Sequence, residues 1–491
     1  MPTPLLCQGV TPLTARTEPW MTALLTDPNQ CATLLDTYGS PLNIHNFDPL
    51  TRNITELTNT ASHHGIRFAV YVARKANKTL NLVTAAHAQG AGIDVASTRE
   101  LRQTLAAGVP GPRIVFSAAI KTRDAITDAL RNNVTISLDN LDEAHLVTTT
   151  AHTLGLTAHI AFRLAITDPH IAPTRFGLPA TDWLTWLTTT NHTHISVDGL
   201  HFHLNGYSAT ERATALRHAI TTIDDLRARG CPASFIDMGG GVPMSYLDNG
   251  EQWHQFWAAV DRQPASSCEV TWRGDRLGLV DAGADRPSPS VYPYYQDVVR
   301  GEWLENIVTS PVASPTVHDG HGSDRPTPDT TIADALASRN IELRGEPGRS
   351  MLDGCGMTLA RVMFRKHTSD GVPLVGLAMN RTQVRSTSAD FLVDPVLVRP
   401  TDAGEPNEPG SGFFVGAYCI EEELLARRRF VFPQGVAVGD IVAFPNTGGY
   451  LMHIVESASH QIPLAANIVA TGDRWELDPG ETSDARAGST N

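Results

Sequence analysis

Hydrophobic positions in the first two thirds of the chain alternate between short apolar runs and amphipathic segments. Each apolar run is rich in β-branched residues and has the length of a strand, and the chain between consecutive runs is mostly long enough for a helix. The segment STRELRQTLAAG opens with a Ser/Thr cap, carries apolar residues at helical spacing and ends at a glycine, and TRDAITDALRNN repeats the pattern. The pattern therefore predicts alternating strands and helices.

Eight strand-like runs lie between residues 68 and 348. They are FAVYVARK (68–75), GAGIDVAS (90–97), RIVFSA (113–118), VTISLD (134–139), AHIAFRLA (158–165), VDGLHFHL (197–204), SFIDMGGG (234–241) and IELRGEPG (341–348). Apolar strands that alternate with helices form parallel sheets covered on both faces, and eight such units predict a closed (β/α)8 barrel. A doubly wound open sheet is the alternative fold.

The periodicity changes after residue 350. The stretch FVFPQGVAVGDIVAFPNTGGYLMHIV has alternating apolar runs separated by turn signals, which is typical of a β-domain. We predict an N-terminal segment (1–46) that packs partly on the β-domain, a barrel (47–350), a C-terminal β-barrel or sandwich domain (351–472) and a flexible tail (473–491). An insertion at about 262–331 contains DAGADRPSPS and HDGHGSDRPTPDT, whose composition is typical of surface loops, and we expect no chemistry there.

Composition narrows the class of function. The net charge of −14, without a block of lysine or arginine, disfavours nucleic acid and anionic membranes as partners. The six cysteines have no paired spacing, which disfavours a disulfide framework or a zinc ribbon and favours a cytoplasmic location. Neither an export signal nor an apolar run long enough to span a membrane is evident. We expect a protein that acts on a small molecule.

Chemically versatile residues lie at the ends of the predicted barrel strands. In barrels of this type the active site is built at the C-terminal ends of the strands. Lys75 ends the first strand, Asp94 and Ser97 the second, Arg163 lies near the end of the fifth, His203 the sixth, Gly239–Gly241 the seventh, and Glu346 with Arg349 the eighth. A core that served stability alone would not gather Lys, His, Glu and Arg at one end of a barrel.

Two motifs near these strand ends bear on ligand binding, one on phosphate and the other on metal. The triple glycine in DMGGGVP leaves backbone N–H groups uncovered after the seventh strand, where barrels commonly bind phosphate. HFH at residues 201–203 has the residue types of a metal pair. We expect one of its rings to lie inside the barrel and the other outside, and we predict no metal site.

A lysine, a carboxylate, a flat ring and a phosphate site together indicate pyridoxal 5′-phosphate. The cofactor aldehyde forms a Schiff base with an amine, and we expect burial or neighbouring charge to lower the pKa of Lys75 for this purpose. A carboxylate at the pyridine nitrogen keeps that nitrogen protonated, so that the ring accepts the electrons left at Cα. Glu346 fits this role.

Several motifs, in order along the chain, resemble one family. The sequences ARKAN, GIDVASTREL, FSAAIKT, GLHFHL, DMGGGVP, EPGRS, GAYCIEEELL and NTGGY resemble segments of the fold-type III pyridoxal-phosphate decarboxylases, which act on ornithine, arginine and diaminopimelate. The similarity runs over most of residues 68–455. It implies a decarboxylase that forms a homodimer with active sites shared between the subunits.

The resemblance also implies roles for single residues. Catalysis would use Lys75 as the Schiff-base lysine, His203 as the ring that stacks on the cofactor, and Cys419 of the partner subunit as the proton donor. The cofactor site would consist of Lys75, Asp94, Arg163, His203, Gly239, Gly240, Gly241, Glu346, Gly348, Arg349 and Tyr450. In this set Gly241 and Arg349 hold phosphate or a substrate carboxylate, and Tyr450 contacts the phosphate.

The sequence departs from the family pattern where substrate would bind. Asn205 and Gly206 stand where the family has Gly-Ser after the histidine, and Ile420 stands where an acidic residue usually follows the cysteine. Arg349, Arg381, Arg385 and Glu423 are the candidates for substrate contacts. The sequence leaves open which amino acid is used, whether its Cα is D or L, and whether it is free or tethered to a carrier.

Two other functions fit the same fold. An amino-acid racemase or epimerase shares the barrel, but alanine racemases set an arginine at the pyridine nitrogen, where this chain has Glu346. A non-catalytic regulator that only binds the cofactor is the other alternative, which the presence of Lys75, Cys419 and Tyr450 together disfavours.

Overall fold

The structure is a computed structural model that describes residues 4–189, 192–279, 291–312, 331–386, 391–408, 410–472 and 474–481. Two short strands come first, β1 (Gln8–Gly9) and β2 (Leu42–His45). The next eight are β3 (Phe68–Ala73), β4 (Gly92–Val95), β5 (Ile114–Phe116), β6 (Thr135–Leu138), β7 (Ala158–Leu164), β8 (Ile195–Phe202), β9 (Phe235–Asp237) and β10 (Glu342–Gly345). The remaining strands are β11 (Gly356–His367), β12 (Pro373–Leu377), β13 (Val396–Val398), β14 (Gly410–Val415), β15 (Phe430–Phe432), β16 (Ile441–Pro445), β17 (Ala466–Thr471) and β18 (Arg474–Leu477).

Helices alternate with the strands in the first two thirds of the chain. They are α1 (Pro19–Leu25), α2 (Pro28–Tyr38), α3 (Asp48–His63), α4 (Leu80–Ala88), α5 (Thr98–Ala106), α6 (Arg123–Arg131), α7 (Leu141–Leu154), α8 (Ala180–Thr189), α9 (Ala209–Ala228), α10 (Gly250–Arg262), α11 (Arg300–Val308) and α12 (Ile332–Ser338). Ser97 and Thr122 cap α5 and α6 by accepting hydrogen bonds from backbone N–H groups. Within the described residues, no helix has both the length and the apolar character needed to cross a bilayer.

Strands β3 to β10 form a closed barrel in which every pairing is parallel. The predicted (β/α)8 barrel is therefore confirmed, and the open doubly wound sheet is excluded. Apolar side chains from the strands and the surrounding helices form one buried core. Because all eight strands are parallel, their C-terminal ends meet at one mouth of the barrel, which brings the residues that follow them together.

The second domain is a mixed β-sheet that packs two further cores on its faces. Strand β11 lies at its centre and pairs with β2, β12 and β16. The N-terminal segment does more than pack on this domain, since β2 lies between β11 and β17 in the sheet. At the other end, β18 pairs with β17, so the prediction of a tail from residue 473 is wrong for Arg474–Leu477.

The predicted insertion divides into two parts. DAGADRPSPS and HDGHGSDRPTPDT lie outside the described residues. Between them, however, α11 packs against α3 and α9, and Trp303 and Leu304 belong to the buried core of the barrel. Tyr292 lies in the core shared with the β-domain. Part of this segment is thus integral to the fold, because its apolar side chains cover the outside of the barrel.

Candidate active site

Lys75 lies in a single 3-10 turn, Arg74–Ala76, directly after β3. Its Nζ donates a hydrogen bond of 2.6 Å to Oδ2 of Asp94, which is fully buried at the end of β4. The hydroxyl of Ser117, after β5, donates to the other carboxylate oxygen of Asp94. Three neighbouring strands therefore fix the position of the lysine amine at the mouth of the barrel.

The charge on Lys75 differs from the expectation. Burial disfavours its ammonium form, but the carboxylates of Asp94 and Glu346 outweigh burial and raise the pKa of Lys75 above its usual value. The prediction of a lowered pKa is therefore wrong for the protein without cofactor. The two acidic residues therefore favour the protonated, positively charged form of the Lys75 amine in the protein without cofactor.

Glu346 follows β10 and is 3% exposed. Its Oε1 has no hydrogen-bond partner among the described residues, and its Oε2 lies 3.6 Å from Nε2 of His201. Burial raises the pKa of Glu346 well above its usual value, and Asp94 and Asp237 add to the effect. A buried carboxylate with an open oxygen is costly unless a ligand supplies a donor.

His201 and His203 both face the barrel interior, so the expectation that one ring lies outside is wrong. Side chains alternate between the two faces of a strand, so residues two apart, such as these histidines, point to the same face. His201 is fully buried, and its Nδ1 lies 2.7 Å from the hydroxyl of Ser137 on β6. Sequence reasoning missed His201 as a site residue, although its spacing from His203 carried the signal.

Asp237 completes a buried cluster with His201 and Glu346. The register of β8 and β9 sets His201 beside Asp237, whose pKa is raised to about 7, chiefly by burial. The possible ligand atoms of the three residues lie within 4.8 Å of one another, a spacing that would also suit a metal ion. The positive charge of Lys75 acts on all three groups, which disfavours a divalent cation there.

The glycines of DMGGGVP form the turn after β9 against His203. Gly239 and Gly241 have φ angles of 67° and 77°, a conformation that side chains disfavour. The Gly240 N–H donates to Nδ1 of His203 at 3.4 Å, and Phe176 meets the ring edge-on at 6.3 Å. Burial lowers the pKa of His203 to about 4, with further contributions from Lys75 and Arg163, so the ring is neutral.

Arg163 lies on β7 near this histidine. Its Nη1 donates to Oδ1 of Asp139 at 3.2 Å, and its guanidinium stacks 4.1 Å from the centre of the Phe176 ring. Phe176 therefore connects Arg163 to His203. These contacts give Arg163 a part in orienting the histidine.

Arg349 lies among tyrosines that the sequence did not single out. Its Nη1 donates to the hydroxyl of Tyr246 at 2.8 Å and to the Gly449 carbonyl at 3.2 Å. Its guanidinium lies 4.1 Å from the centre of the Tyr292 ring. Tyr292 belongs to the segment predicted to carry no chemistry, so that prediction is wrong here. A tyrosine in a segment rich in Pro and Gly gives no indication, from the sequence alone, that it lies beside Arg349.

Tyr450 links the β-domain to the lysine turn. Its backbone N–H donates to the carbonyl of Ala76 at 2.8 Å, and its φ of 69° is in the left-handed region, which is uncommon for a tyrosine. A Cβ on Gly348 would lie 2.6 Å from the Tyr450 hydroxyl. Gly348 therefore gives this hydroxyl its room.

A cavity of about 340 Å³ opens among these groups. Its lining comprises His203, Leu204, Asn205, Gly206, Tyr207, Gly241, Val242, Tyr292, Gly348, Arg349, Ser386, Tyr450 and Ile454. The structure thus brings five of the predicted site residues, His203, Gly241, Gly348, Arg349 and Tyr450, to one cavity.

The remaining candidates lie in the β-domain. The backbone N–H of Arg381 donates to Oε1 of Glu423 at 2.9 Å, and the Arg381 side chain donates to the Glu422 carbonyl. Burial raises the pKa of Glu423, while the charges of Arg381 and Arg385 oppose the shift. Cys419 is exposed in the same loop. These residues form a separate cluster, since none of them lines the cavity.

The residues present fit pyridoxal phosphate. The amine is Lys75, and the open oxygen of Glu346 suits a protonated ring nitrogen. The glycine turn suits a phosphate, because Gly239 and Gly241 adopt positive φ angles that side chains disfavour, and Gly241 lines the cavity. Arg349 and the hydroxyl of Tyr450 stand beside the same cavity.

Comparison with known proteins identifies the same chemistry. Residues 51–267 match the family model described as pyridoxal-dependent decarboxylase, pyridoxal binding domain. An uncharacterised protein of Sinorhizobium fredii is 28% identical over 89% of both chains, and the diaminopimelate decarboxylase of Zymomonas mobilis is 23% identical over 90% of both.

A solved structure has the same fold. The diaminopimelate decarboxylase of M. jannaschii, in co-complex with L-lysine, superimposes with a TM-score of 0.66 over 91% of both chains at 18% identity. The family match, the relatives and the site residues agree with one another. Residues 51–267 thus match the pyridoxal-binding domain of the pyridoxal-dependent decarboxylases, and the relatives and the shared fold support the fold-type III family of these enzymes, which are carboxy-lyases.

Proposed function

We propose that this protein removes the α-carboxylate of an amino acid or amino-acid derivative, with pyridoxal phosphate held by Lys75. The observation that carries the proposal is Glu346, a buried carboxylate with an open oxygen in a site that also holds Lys75. When bound, the cofactor accepts through its protonated pyridine ring the electron pair left at Cα by departing CO₂.

Glu346 serves this chemistry by holding a proton at the ring nitrogen. Its raised pKa means that the buried carboxylate attracts a proton strongly, and a protonated ring nitrogen satisfies its open oxygen. Nε2 of His201 lies 3.6 Å from the second oxygen, which is beyond hydrogen-bonding distance. An arginine at this position would repel the ring proton, so Glu346 disfavours the racemase alternative.

The phosphate end of the site relies on backbone N–H groups and on two side chains. In the Gly239–Gly241 turn the N–H groups of Gly239 and Gly240 donate to Oδ1 of Asp237 and Nδ1 of His203, so the N–H of Gly241, which lines the cavity, is the donor that this turn offers to a phosphate. Arg349 adds a guanidinium that its tyrosine neighbours help to keep protonated, and Tyr450 adds a hydroxyl. His203, which is neutral, offers a flat and uncharged face to a ring.

The proton that replaces the carboxylate requires a donor, which we assign to Cys419 of the partner subunit. Cys419 is exposed in the chain as it stands, as a residue that completes a neighbour's site must be. A thiol suits the task because it gives up and regains a proton near neutral pH. This assignment requires a homodimer with shared sites.

Arg381, Arg385 and Glu423 are our candidates for contacts with the distal end of the substrate. They lie in the β-domain, where Arg385 directly precedes Ser386, a residue that lines the cavity. Ion pairing within this cluster means that substrate would exchange with an existing partner.

Release of labelled CO₂ from a panel of D- and L-amino acids tests the proposal. The wild-type protein with cofactor should release CO₂ from at least one of them. Lys75→Ala should abolish both this activity and the lysine adduct trapped by borohydride, while Lys366→Ala, at an exposed lysine, should change neither. Exchange of the Cα hydrogen without CO₂ release would favour a racemase, and cofactor binding without either reaction would favour a regulator.

A further inference from the structure

Arg212 is a fully buried arginine in the first turns of α9, behind the cavity. The family resemblance gives this residue no role. The role that we infer for Arg212 concerns the phosphate end of the cofactor site, and it therefore rests on the proposed function.

The guanidinium of Arg212 joins the two loops that form the cradle. Its Nη2 donates to the carbonyl of Gly206 at 2.8 Å, after β8, and to the carbonyl of Gly240 at 3.0 Å, after β9. Weaker contacts of 3.4 Å reach the carbonyls of Leu204 and Ser208. By binding their carbonyls, Arg212 fixes the two loops in the positions from which Gly206 and Gly241 line the cavity.

The position of Arg212 explains the glycine at 241. A Cβ on Gly241 would lie 2.1 Å from Nη2 of Arg212, so a side chain there would collide with the guanidinium. Gly206 and Gly241 both line the cavity. A single backbone layer thus separates the buried charge from the space where a phosphate would lie.

No carboxylate among the described residues forms an ion pair with Arg212, although the charge of the adjacent Glu211 acts on it. Within the described residues, the hydrogen bonds of Arg212 go to carbonyl oxygens and its Nε has no partner, and the Trp303 ring lies 5.2 Å from Cζ. Burial lowers its pKa to about 10, which still leaves it charged at neutral pH. A buried charge of this kind is costly unless an opposite charge offsets it.

The loop before Arg212 carries no hydroxyl in the three residues that follow His203, which are Leu204, Asn205 and Gly206. We propose that Arg212 is the positioning residue of the phosphate cradle. It orients both loops through their carbonyls, and its positive charge acts through the backbone on a bound phosphate dianion.

Binding of two aldehyde-free probes tests the role of Arg212. Pyridoxine 5′-phosphate and pyridoxine differ only in the phosphate, and neither bonds covalently to Lys75. Their dissociation constants for the cofactor-free protein, measured by calorimetry, give the phosphate preference as a ratio. In Arg212→Met this ratio should fall about 10- to 100-fold, because a buried charge-assisted contribution is lost. Binding of pyridoxine alone should change less than about threefold.

Arg227 provides a matched control on the same helix. Arg227 is half-buried and, like Arg212, donates hydrogen bonds to backbone carbonyls. Its partners are the carbonyls of Ala233 at 2.7 Å and Arg339 at 2.8 Å. It lies fifteen residues further along α9, or about 22 Å at the helical rise per residue. Arg227→Met should leave the phosphate preference unchanged. A second readout is the rise of the unfolding temperature with inorganic phosphate, which Arg212→Met should lose and Arg227→Met should keep.

The outcomes separate the inference from the proposed function. If wild type shows no preference for the phosphorylated probe, the cofactor site itself is refuted. If wild type shows the preference and Arg212→Met keeps it, the inference alone is overturned. Should Arg212→Met fail to fold, Arg212→Gln, which keeps an N–H donor but loses the charge, decides between the same two results.

Discussion

The charges of individual residues at the barrel mouth depend on one another. Lys75, Asp94 and Glu346 are close enough for each to alter the protonation of another, and all three come from different strands. The site is therefore already polarised before any ligand binds. A change at one of these residues should therefore alter the protonation of its neighbours.

Glu346→Gln should lower the rate of CO₂ release about 10- to 100-fold while the cofactor stays bound. The amide keeps the shape but loses the charge that holds the ring proton, which is worth roughly 1.5–3 kcal/mol when it acts in the transition state. Turnover and cofactor absorbance are measured on the same sample. Glu342→Gln, on the same strand and in an ion pair with Arg344, is the control. A rate equal to wild type would refute the role of Glu346.

His203 predicts a pH dependence of stability in the cofactor-free protein. Burial lowers its folded pKa to about 4, so between pH 6.5 and 4 the unfolded chain binds a proton that the folded chain does not. The free energy of unfolding should therefore fall as pH is lowered through this window. Between pH 7 and 5 the loss should be roughly 1–2 kcal/mol greater in wild type than in His203→Asn, allowing for partial exposure.

Urea unfolding at the two pH values measures this difference. His201 and other groups titrate in both proteins, so only the difference between wild type and variant is informative. Parallel pH profiles for the two proteins would mean that folding does not lower the pKa of His203.

At the scale of elements, the turn that carries Lys75 depends on Asn77, which is fully buried. The Asn77 amide donates to the Gly448 carbonyl at 2.9 Å, and its oxygen accepts from the N–H and the hydroxyl of Thr79 at 3.0 and 2.8 Å. One side chain thus joins the first barrel loop to the β-domain. Its contacts hold the lysine turn against the segment that carries Tyr450.

Asn77→Ala should destabilise the protein by about 2–4 kcal/mol, because it leaves three buried polar groups without partners. Urea unfolding measures the change, and Asn306→Ala, at an exposed position within α11, is the control with an expected effect near zero. We also expect slower trapping of the Lys75 adduct by borohydride. A variant as stable as wild type would show that water replaces the amide.

The elements were more predictable than the contacts between them. Runs such as FAVYVARK predicted all eight barrel strands because buried parallel strands are nearly continuous apolar stretches. Strand β2 was missed because LNIH is four residues long and its partners lie more than 300 residues away. Arg212 was missed because an arginine in an amphipathic helix is usually on the surface. Such features depend on tertiary contacts that no local pattern records.

At the scale of the whole molecule, the proposed dimer predicts complementation between inactive variants. If each site takes Lys75 from one chain and Cys419 from the other, a heterodimer of Lys75→Ala and Cys419→Ala has one complete site. Equal mixing with free subunit exchange then gives about a quarter of wild-type activity, since half of the dimers are mixed and each has one working site of two. Activity is measured as labelled CO₂.

The control mixes Lys75→Ala with Glu346→Gln, which belong to the same barrel mouth. A mixed dimer then has one site without the lysine and one without the carboxylate, so recovery should be absent. Complementation in the first mixture only would support the shared site. No recovery in either mixture, with exchange proven by mass spectrometry, would refute the shared site and leave Cys419 either structural or contributed within the same chain.

The position of β2 between β11 and β17 has a consequence for biosynthesis. Since β2 precedes the barrel in sequence and its partners follow it, the barrel is topologically an insert within the β-domain. A ribosome releases residues 42–45 long before residues 356–359 and 466–469 exist to pair with them. Strand β2 therefore has no partner strand while the barrel is translated. The β-domain becomes complete only when β11 and β17 have been synthesised and pair with β2.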